Sequence, residues 1–282
     1  GPILEISKTE EKLRELQGLL SQMGRAVVAF SGGVDSTFLL KVALDVLGDN
    51  LWAVLLVSPL YPQRETEEAK KIARELGVKR LIEMENPAIS DEEFLSNGKN
   101  RCYICKRRSF FQILQFARAH QVEAVIEGSN LDDLSDYRPG RTALQELAIR
   151  SPLIEVGLSK GEIRQLAREL GLPNADKPSF SCLASRIPYG FRISLDLIKR
   201  IEEGEEFLRE LGFKQFRARH HGEIVRIEVD RNRLELFSDP SVRERTIQKF
   251  HELGYTYVVL DLEGYRTGSL NQVLSEDEHG EN

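Results

Sequence analysis

The sequence predicts an α/β protein: a doubly wound parallel sheet followed along the chain by a smaller α+β domain. Three observations predict it. The apolar run Ala26-Val27-Val28-Ala29-Phe30 meets a glycine turn and then the helical stretch Thr37–Leu44, which is the strand–turn–helix unit of open parallel sheets. Strand-like apolar runs then alternate with helical stretches as far as Leu170, implying crossover connections between parallel strands. After the loop Pro178–Gly190 the alternation gives way to a helix and a hairpin, a separate domain of roughly 85 residues. The 282 residues suffice for two domains and a sizeable core. The expected division is 1–190, then 191–275, then a polar, acidic, disordered tail at 276–282.

The elements follow in order. Glu10–Met23 reads as an amphipathic helix with Leu13, Leu16, Leu19 and Leu20 on one face. Ala26–Phe30 and Trp52–Val57 are continuous apolar runs, as strands buried on both faces are. Between Trp52–Val57 and the short third strand Arg80–Met84 lies the helix Glu65–Leu76, closed by Gly77. Cys105–His120 is read as a helix, Ala124–Glu127 as a fourth strand, Ile149–Ile154 as a fifth and Lys160–Leu170 as a helix closed by Gly171. The second domain reads as a helix Leu195–Leu211, a hairpin of Gln215–His220 and Ile224–Val229 around His221-Gly222-Glu223, a helix Val242–Leu253 and a strand Tyr257–Leu260.

Composition narrows the class. A formal net charge of −6 argues against a nucleic-acid binder, and no apolar run is long enough to span a bilayer. Gly1-Pro2 reads as a remnant of protease cleavage, no signal peptide follows it, and a cytoplasmic protein is expected. Three cysteines, two of them in a CxxC, make a poor disulfide framework; in a reducing compartment they point to a metal or to redox chemistry.

Ser31-Gly32-Gly33-Val34-Asp35-Ser36 carries the chemistry. Gly32 and Gly33 let the backbone approach an anion closely. Ser31, Ser36 and Thr37 add hydroxyls, and the following helix aims free N–H groups and its positive dipole end at the same point. No lysine follows the glycines, so this is not the common GxxxxGK[ST] loop. Glu127-Gly128-Ser129-Asn130, with Asp132, Asp133, Asp136 and Arg138 behind it, is expected to face this turn. Its carboxylates and Asp35 would hold Mg²⁺ against a triphosphate; the alternative is a solvated acidic loop. Ser58, after the second strand, is expected beside the adenine. In Pro178–Gly190, Cys182 is a candidate nucleophile or metal ligand and Arg186 an anion fork. Arg217 and Arg219 alternate on one strand and so share a face, which suits a nucleotide phosphate.

SGGVDS resembles the PP-loop of the ATP pyrophosphatases, which cleave ATP to AMP and pyrophosphate. SGGVDS, EGSNLDD, DYRPGR, CLASRIPYG and FRARHHGEIVRIEV occur here in that order, and the set resembles the LarE-type ATP-dependent sulfur transferases over about Leu13–Leu270. The resemblance implies an adenine nucleotide alpha-hydrolase fold. It implies a small-molecule nucleotide substrate, pyridinium-3,5-biscarboxylic acid mononucleotide, whose carboxylates are adenylated and converted to thiocarboxylates for the nickel-pincer cofactor of lactate racemase. It implies no nucleic acid or membrane partner, a sulfide donor, and a homo-oligomer, dimer or hexamer. It assigns ATP and Mg²⁺ to Ser31, Gly32, Gly33, Asp35, Ser36, Ser58, Gly128 and Asp133. Chemistry falls to Cys182, Asp35, Lys106, Arg186 and Glu205, and substrate phosphate to Ser185, Arg186, Arg217 and Arg219. Lys177, with Lys106, is a further candidate contact for phosphate or AMP. For sulfur, Cys102, Cys105 and Cys182 would hold a 4Fe-4S cluster with one open iron. Zinc is the metal alternative, with His220 or His221 as a fourth ligand, although substrate phosphate is the favoured partner of these two histidines; sacrifice of the Cys182 sulfur is the metal-free alternative. A tRNA thiolase is the competing function.

Overall fold

The computed structural model describes residues 7–135, 138–179 and 181–266. Asp136, Tyr137, Phe180 and the expected tail 276–282 lie outside the described residues. The chain forms two compact units: Gly1–Phe94 with Lys99–Phe180, and Leu95–Gly98 with Ser181–Asn282.

The first unit is built on strands β1 (Ala26–Phe30), β2 (Leu51–Val57), β3 (Leu81–Glu85) and β4 (Ala124–Ile126), all parallel, in the order β3-β2-β1-β4. Its helices are α1 (Lys8–Met23), α2 (Val34–Leu47), α3 (Gln63–Glu75), the single turn α4 (Glu92–Leu95), α5 (Arg101–Ala119), α6 (Gly140–Glu146), the single turn α7 (Pro152–Glu155) and α8 (Lys160–Glu169). Strand alternation divides the core into two layers. Ala26, Val28 and Phe30 of β1 pack with α1, α2, α3 and α8 through Leu16, Phe38, Ile72 and Ile163. Val27 turns the other way and joins Trp52, Val54 and Val125 against Phe110, Ile113 and Leu144 of α5 and α6. Both faces are covered, which is why these strands read as unbroken apolar runs. The chain steps outward from β1 to β3 and then returns to the other side of β1, so the loops after β1 and β4 flank the point where strand order reverses. Ligands of open α/β sheets bind at that crevice.

The expected fifth strand, Ile149–Ile154, is corrected. Arg150 makes one parallel bridge to Ile126 of β4, and Pro152 then opens α7. Proline has no N–H to extend a ladder and suits the first position of a helix. The CxxC helix also starts earlier than its expected Cys105, at Arg101, so Cys102 and Cys105 lie one turn apart near the start of α5.

The second unit holds α9 (Leu195–Glu210), β5 (Phe216–His221), β6 (Ile224–Val229), α10 (Pro240–Glu252) and β7 (Tyr257–Leu260). The sheet order is β5-β6-β7, with β5 antiparallel and β7 parallel to β6. Its core gathers Leu208, Phe213, Ala218, Val225, Ile227, Phe250 and Tyr255. Among the described residues, no helix is long and apolar enough to cross a membrane.

Candidate active site

The glycine turn is held from three sides within the first unit. Gly32 has φ +85°, and a Cβ there would sit 2.7 Å from the Ala69 Cβ of α3, so only glycine fits. Gly33 occupies the N-cap position of α2 and provides no side-chain cap. The first-turn N–H groups that follow therefore have no intrahelical acceptor and are available to an anion. Ser31 and Ser36 hydroxyls lie 2.9 Å apart, and the Ser31 N–H donates to the Ser36 Oγ at 3.1 Å. The loop after β4 presses on this turn: a Cβ on Gly128 would lie 2.9 Å from the Ser36 nitrogen.

Asp35 stands at the junction. Its Oδ2 accepts from Asn130 Nδ2 and from Lys160 Nζ, both at 3.0 Å. Its Oδ1 is buried without a hydrogen-bond donor. Burial pushes the Asp35 carboxyl above its ordinary value; Lys160 and Asn130 oppose that shift, and Asp133 adds repulsion. An orphaned, hard carboxylate oxygen beside an anion cradle fits Mg²⁺ bound with polyphosphate. The sequence places Lys160 at the start of a helix, and the Ser159–Glu162 capping box fixes that start, but its pairing with Asp35 across 125 positions had no local signal.

The remaining candidates of this unit are placed differently. Asp133 accepts the Asn130 N–H at 2.9 Å and pairs with Arg138 at 3.1 Å, so it braces its own loop. Ser58 caps the turn after β2 by accepting the Leu60 N–H. Glu127 is closed in by Ser129, Ser151 and Arg141. Lys177 is locked between Glu65 and Glu68 of α3. Lys106 is exposed, with its ammonium 5.4 Å from the Phe110 ring. Cys102 is exposed and Cys105 is partly buried; burial raises the Cys105 thiol's pKa, against hydrogen bonding from Asn86 and the charge of Lys106. Two thiols in one helical turn fit a soft-metal centre as two of its ligands. Among the described residues, no group of three or more Cys, His, Asp or Glu is gathered for a metal.

In the second unit Arg186 is 1% exposed. Its Nε and Nη2 grip the two Glu205 oxygens at 2.8 and 3.0 Å. Burial works against its charge, but the Glu205 carboxylate prevails and raises its pKa. Its Nη1 reaches the Ser181 and Ser185 hydroxyls at 2.7 and 2.8 Å and the Cys182 carbonyl at 3.0 Å. The guanidinium therefore organises the loop that carries Cys182. Asn97, with φ +60°, staples the same loop by donating to the Pro188 and Phe191 carbonyls at 2.9 Å.

Arg217 and Arg219 share a face of β5, but their surroundings differ. Arg219 is paired with Glu228 at 3.1 Å and donates to the Ser185 carbonyl at 3.4 Å. Arg217 donates to the Phe216 carbonyl at 2.7 Å and to the Tyr265 hydroxyl at 3.3 Å, and lies over the Tyr265 ring. Its largest attraction is to Glu205, already bidentate with Arg186. Burial, then the charge of Arg186, pushes Arg217 down to about 10. Arg217 is partly buried, and a cation in such a place is suited to meeting an anion. Arg217→Ala is expected to weaken a phosphate-bearing substrate by about 10- to 150-fold, the worth of a charge-assisted contact at roughly 1.5–3 kcal/mol. ATP affinity should stay near wild type in the same calorimetric titration.

His220 points away from these arginines, into the core, where its Nδ1 lies 2.8 Å from the Tyr255 hydroxyl and its ring meets Phe191 edge-on. Burial, aided by Arg200, pushes its pKa down to about 4. The unfolded chain then binds a proton that the folded one refuses between roughly pH 6.5 and 4. Stability should fall across that window as pH drops, by on the order of 2–3 kcal/mol. Urea melts at stepped pH should show a shallower fall in His220→Gln. His221 lies on the arginine face and accepts from Arg226 at 3.2 Å.

A family model, that of the queuosine biosynthesis protein QueC, matches residues 25–189. An uncharacterized protein from Synechocystis is 41% identical, with the alignment covering 94% of this chain and 99% of that protein. The pyridinium-3,5-bisthiocarboxylic acid mononucleotide synthase of Lactiplantibacillus plantarum is 37% identical, over 94% of this chain and 95% of that protein. A tRNA-cytidine(32) 2-sulfurtransferase from Francisella philomiragia is 29% identical over only 46% of this chain and 56% of its own length.

Proposed function

The chain belongs to the PP-loop ATP pyrophosphatase family, and on that premise we propose that it is an ATP-dependent sulfur transferase acting on pyridinium-3,5-biscarboxylic acid mononucleotide. The observation that carries the reading is the near-full-length match to the named synthase, which spans both units. The tRNA-modifying relative matches less than half of this chain.

In the proposed reaction the glycine turn and the first N–H groups of α2 hold the polyphosphate of ATP. A substrate carboxylate oxygen attacks the α-phosphorus, the bond to the β-phosphate bridging oxygen breaks, and pyrophosphate leaves. The acyl adenylate has AMP as its leaving group, which a free carboxylate lacks. Sulfide adding to the acyl carbon expels AMP and leaves a thiocarboxylate directly; the Cys182 sulfur would instead give a thioester, whose Cβ–Sγ bond breaks by β-elimination as a base takes the Cα proton, leaving the thiocarboxylate and dehydroalanine. Mg²⁺ at Asp35 would offset the charge gathering on the departing pyrophosphate. Lys160, paired with Asp35 and partly exposed, would be within the same site to meet a phosphate oxygen if Mg²⁺ were bound at Asp35. Arg217 binds the substrate phosphate, and Arg219 and Ser185 border it.

Cys102, Cys105 and Cys182 would hold the iron–sulfur cluster, which when bound supplies an open iron for transferable sulfide. Sacrifice of Cys182 is the second reading, supported by the Arg186 grip that presents its loop. The test is an anaerobic incubation with ATP, Mg²⁺, sulfide and the mononucleotide, with product and protein both weighed by mass spectrometry. Repeated exchange of oxygen for sulfur per chain supports the cluster route; one exchange, with loss of H₂S from Cys182, supports sacrifice. No exchange in either form sinks the proposal.

A further inference from the structure

Asn174 touches the glycine turn directly. It is 3% exposed and follows the Gly171 end of α8. Its Nδ2 donates to the Gly32 carbonyl at 2.8 Å and to the Thr37 hydroxyl at 3.0 Å. Its Oδ1 is buried with no donor. The Gly32 carbonyl can only accept, so the amide nitrogen must face it and the orphaned oxygen must face away. A buried acceptor left unmade costs about 1–3 kcal/mol. A leucine of similar size would avoid that cost, so the amide is kept for its donor end.

We propose that Asn174 is the positioning residue of the phosphate turn, locking the Gly32–Gly33 peptide so that its N–H, not its carbonyl, faces the anion. In a trans peptide the C=O and the following N–H point in opposite directions. Holding the Gly32 oxygen on one side therefore sends the Gly33 N–H to the other, where it donates to the Ser31 Oγ at 3.4 Å, a long bond for which a bound anion would compete. Two adjacent glycines allow that peptide to flip with little steric resistance. A flipped peptide would aim a carbonyl dipole at the polyphosphate and remove one N–H from it. Ala69 closes the approach to Gly32, and Asn174 selects which way the peptide faces.

The inference rests on the reading that this turn binds the polyphosphate of ATP, and the probes are chosen to separate the two. Pyrophosphate and adenosine are titrated into the wild-type protein, into Asn174→Leu and into the isosteric Asn174→Asp, which replaces the donor by an oxygen. Pyrophosphate affinity is expected to fall at least tenfold in both variants, with adenosine affinity within twofold. Loss of both probes in equal measure, or of neither, overturns the inference. A wild-type protein that binds adenosine but not pyrophosphate overturns the underlying reading instead. If neither variant folds, amide exchange in the wild type decides. With pyrophosphate bound, the Asn174 side-chain protons should stay protected and the Gly33 resonance should move; rapid exchange at Asn174 overturns the proposal.

Discussion

Asp35→Asn is expected to abolish AMP formation while the protein stays folded. The substitution keeps the size and the hydrogen-bonding reach of the side chain but removes its charge. In the wild type one oxygen is committed to Asn130 and Lys160, and the other is buried with nothing to receive. Such an oxygen gains most from a hard cation. Losing that cation's hold on the departing pyrophosphate removes several kcal/mol of charge stabilisation, a fall of roughly 10³-fold or more. The fold should tolerate the change. Lys160 remains partly exposed and can turn to water, and burial already works against the carboxylate's charge. Retained AMP formation in Asp35→Asn, in a protein with an unchanged melting temperature, would remove Asp35 from the chemistry.

The second large effect is structural first and catalytic after. Arg186→Ala leaves the Glu205 carboxylate buried without its bidentate partner, and breaking such a pair costs about 3–5 kcal/mol. Glu205 also accepts the Ala218 N–H at 3.2 Å, so the loss reaches β5, which carries Arg217 and Arg219. The double variant Arg186→Met, Glu205→Leu removes both charges together. It should recover most of the stability, because an apolar pair of similar volume pays no desolvation penalty. It should not recover sulfur transfer, because the Ser181, Cys182 and Ser185 contacts are gone. A single variant within 1 kcal/mol of wild type in urea unfolding would show that the pair is not the loop's anchor.

What the sequence made legible follows from how local each signal is. The strand–glycine–helix unit needed only neighbours: an apolar run, two adjacent glycines and a helical stretch. The alternation of Arg217, Arg219 and His221 against Ala218 and His220 was also local. The same period puts His220 on the opposite face of β5 from the arginines, which treating His220 and His221 as equivalent candidate ligands overlooked, and burial against Tyr255 had no signal of its own. Ile149–Ile154 misled because an apolar run of that length fits a strand or a buried turn equally, and Pro152 decides between them. The pairing of Arg186 with Glu205 joins a loop to a helix across 19 positions. Asn174 meets Gly32 across 142. No periodicity connects such partners; only the folded chain brings them together. The two glycines that matter most were visible as residues, but their reason, the closeness of Ala69 to Gly32 and of Ser36 to Gly128, was not.

The measurement that most directly tests the central claim is the identity of the nucleotide products when ATP and Mg²⁺ are supplied with and without the pyridinium dicarboxylate mononucleotide. The account predicts AMP and pyrophosphate in equal amounts, formed only when the mononucleotide is present and missing in Asp35→Asn. ADP with orthophosphate, or AMP released at the same rate without any carboxylate, would contradict it.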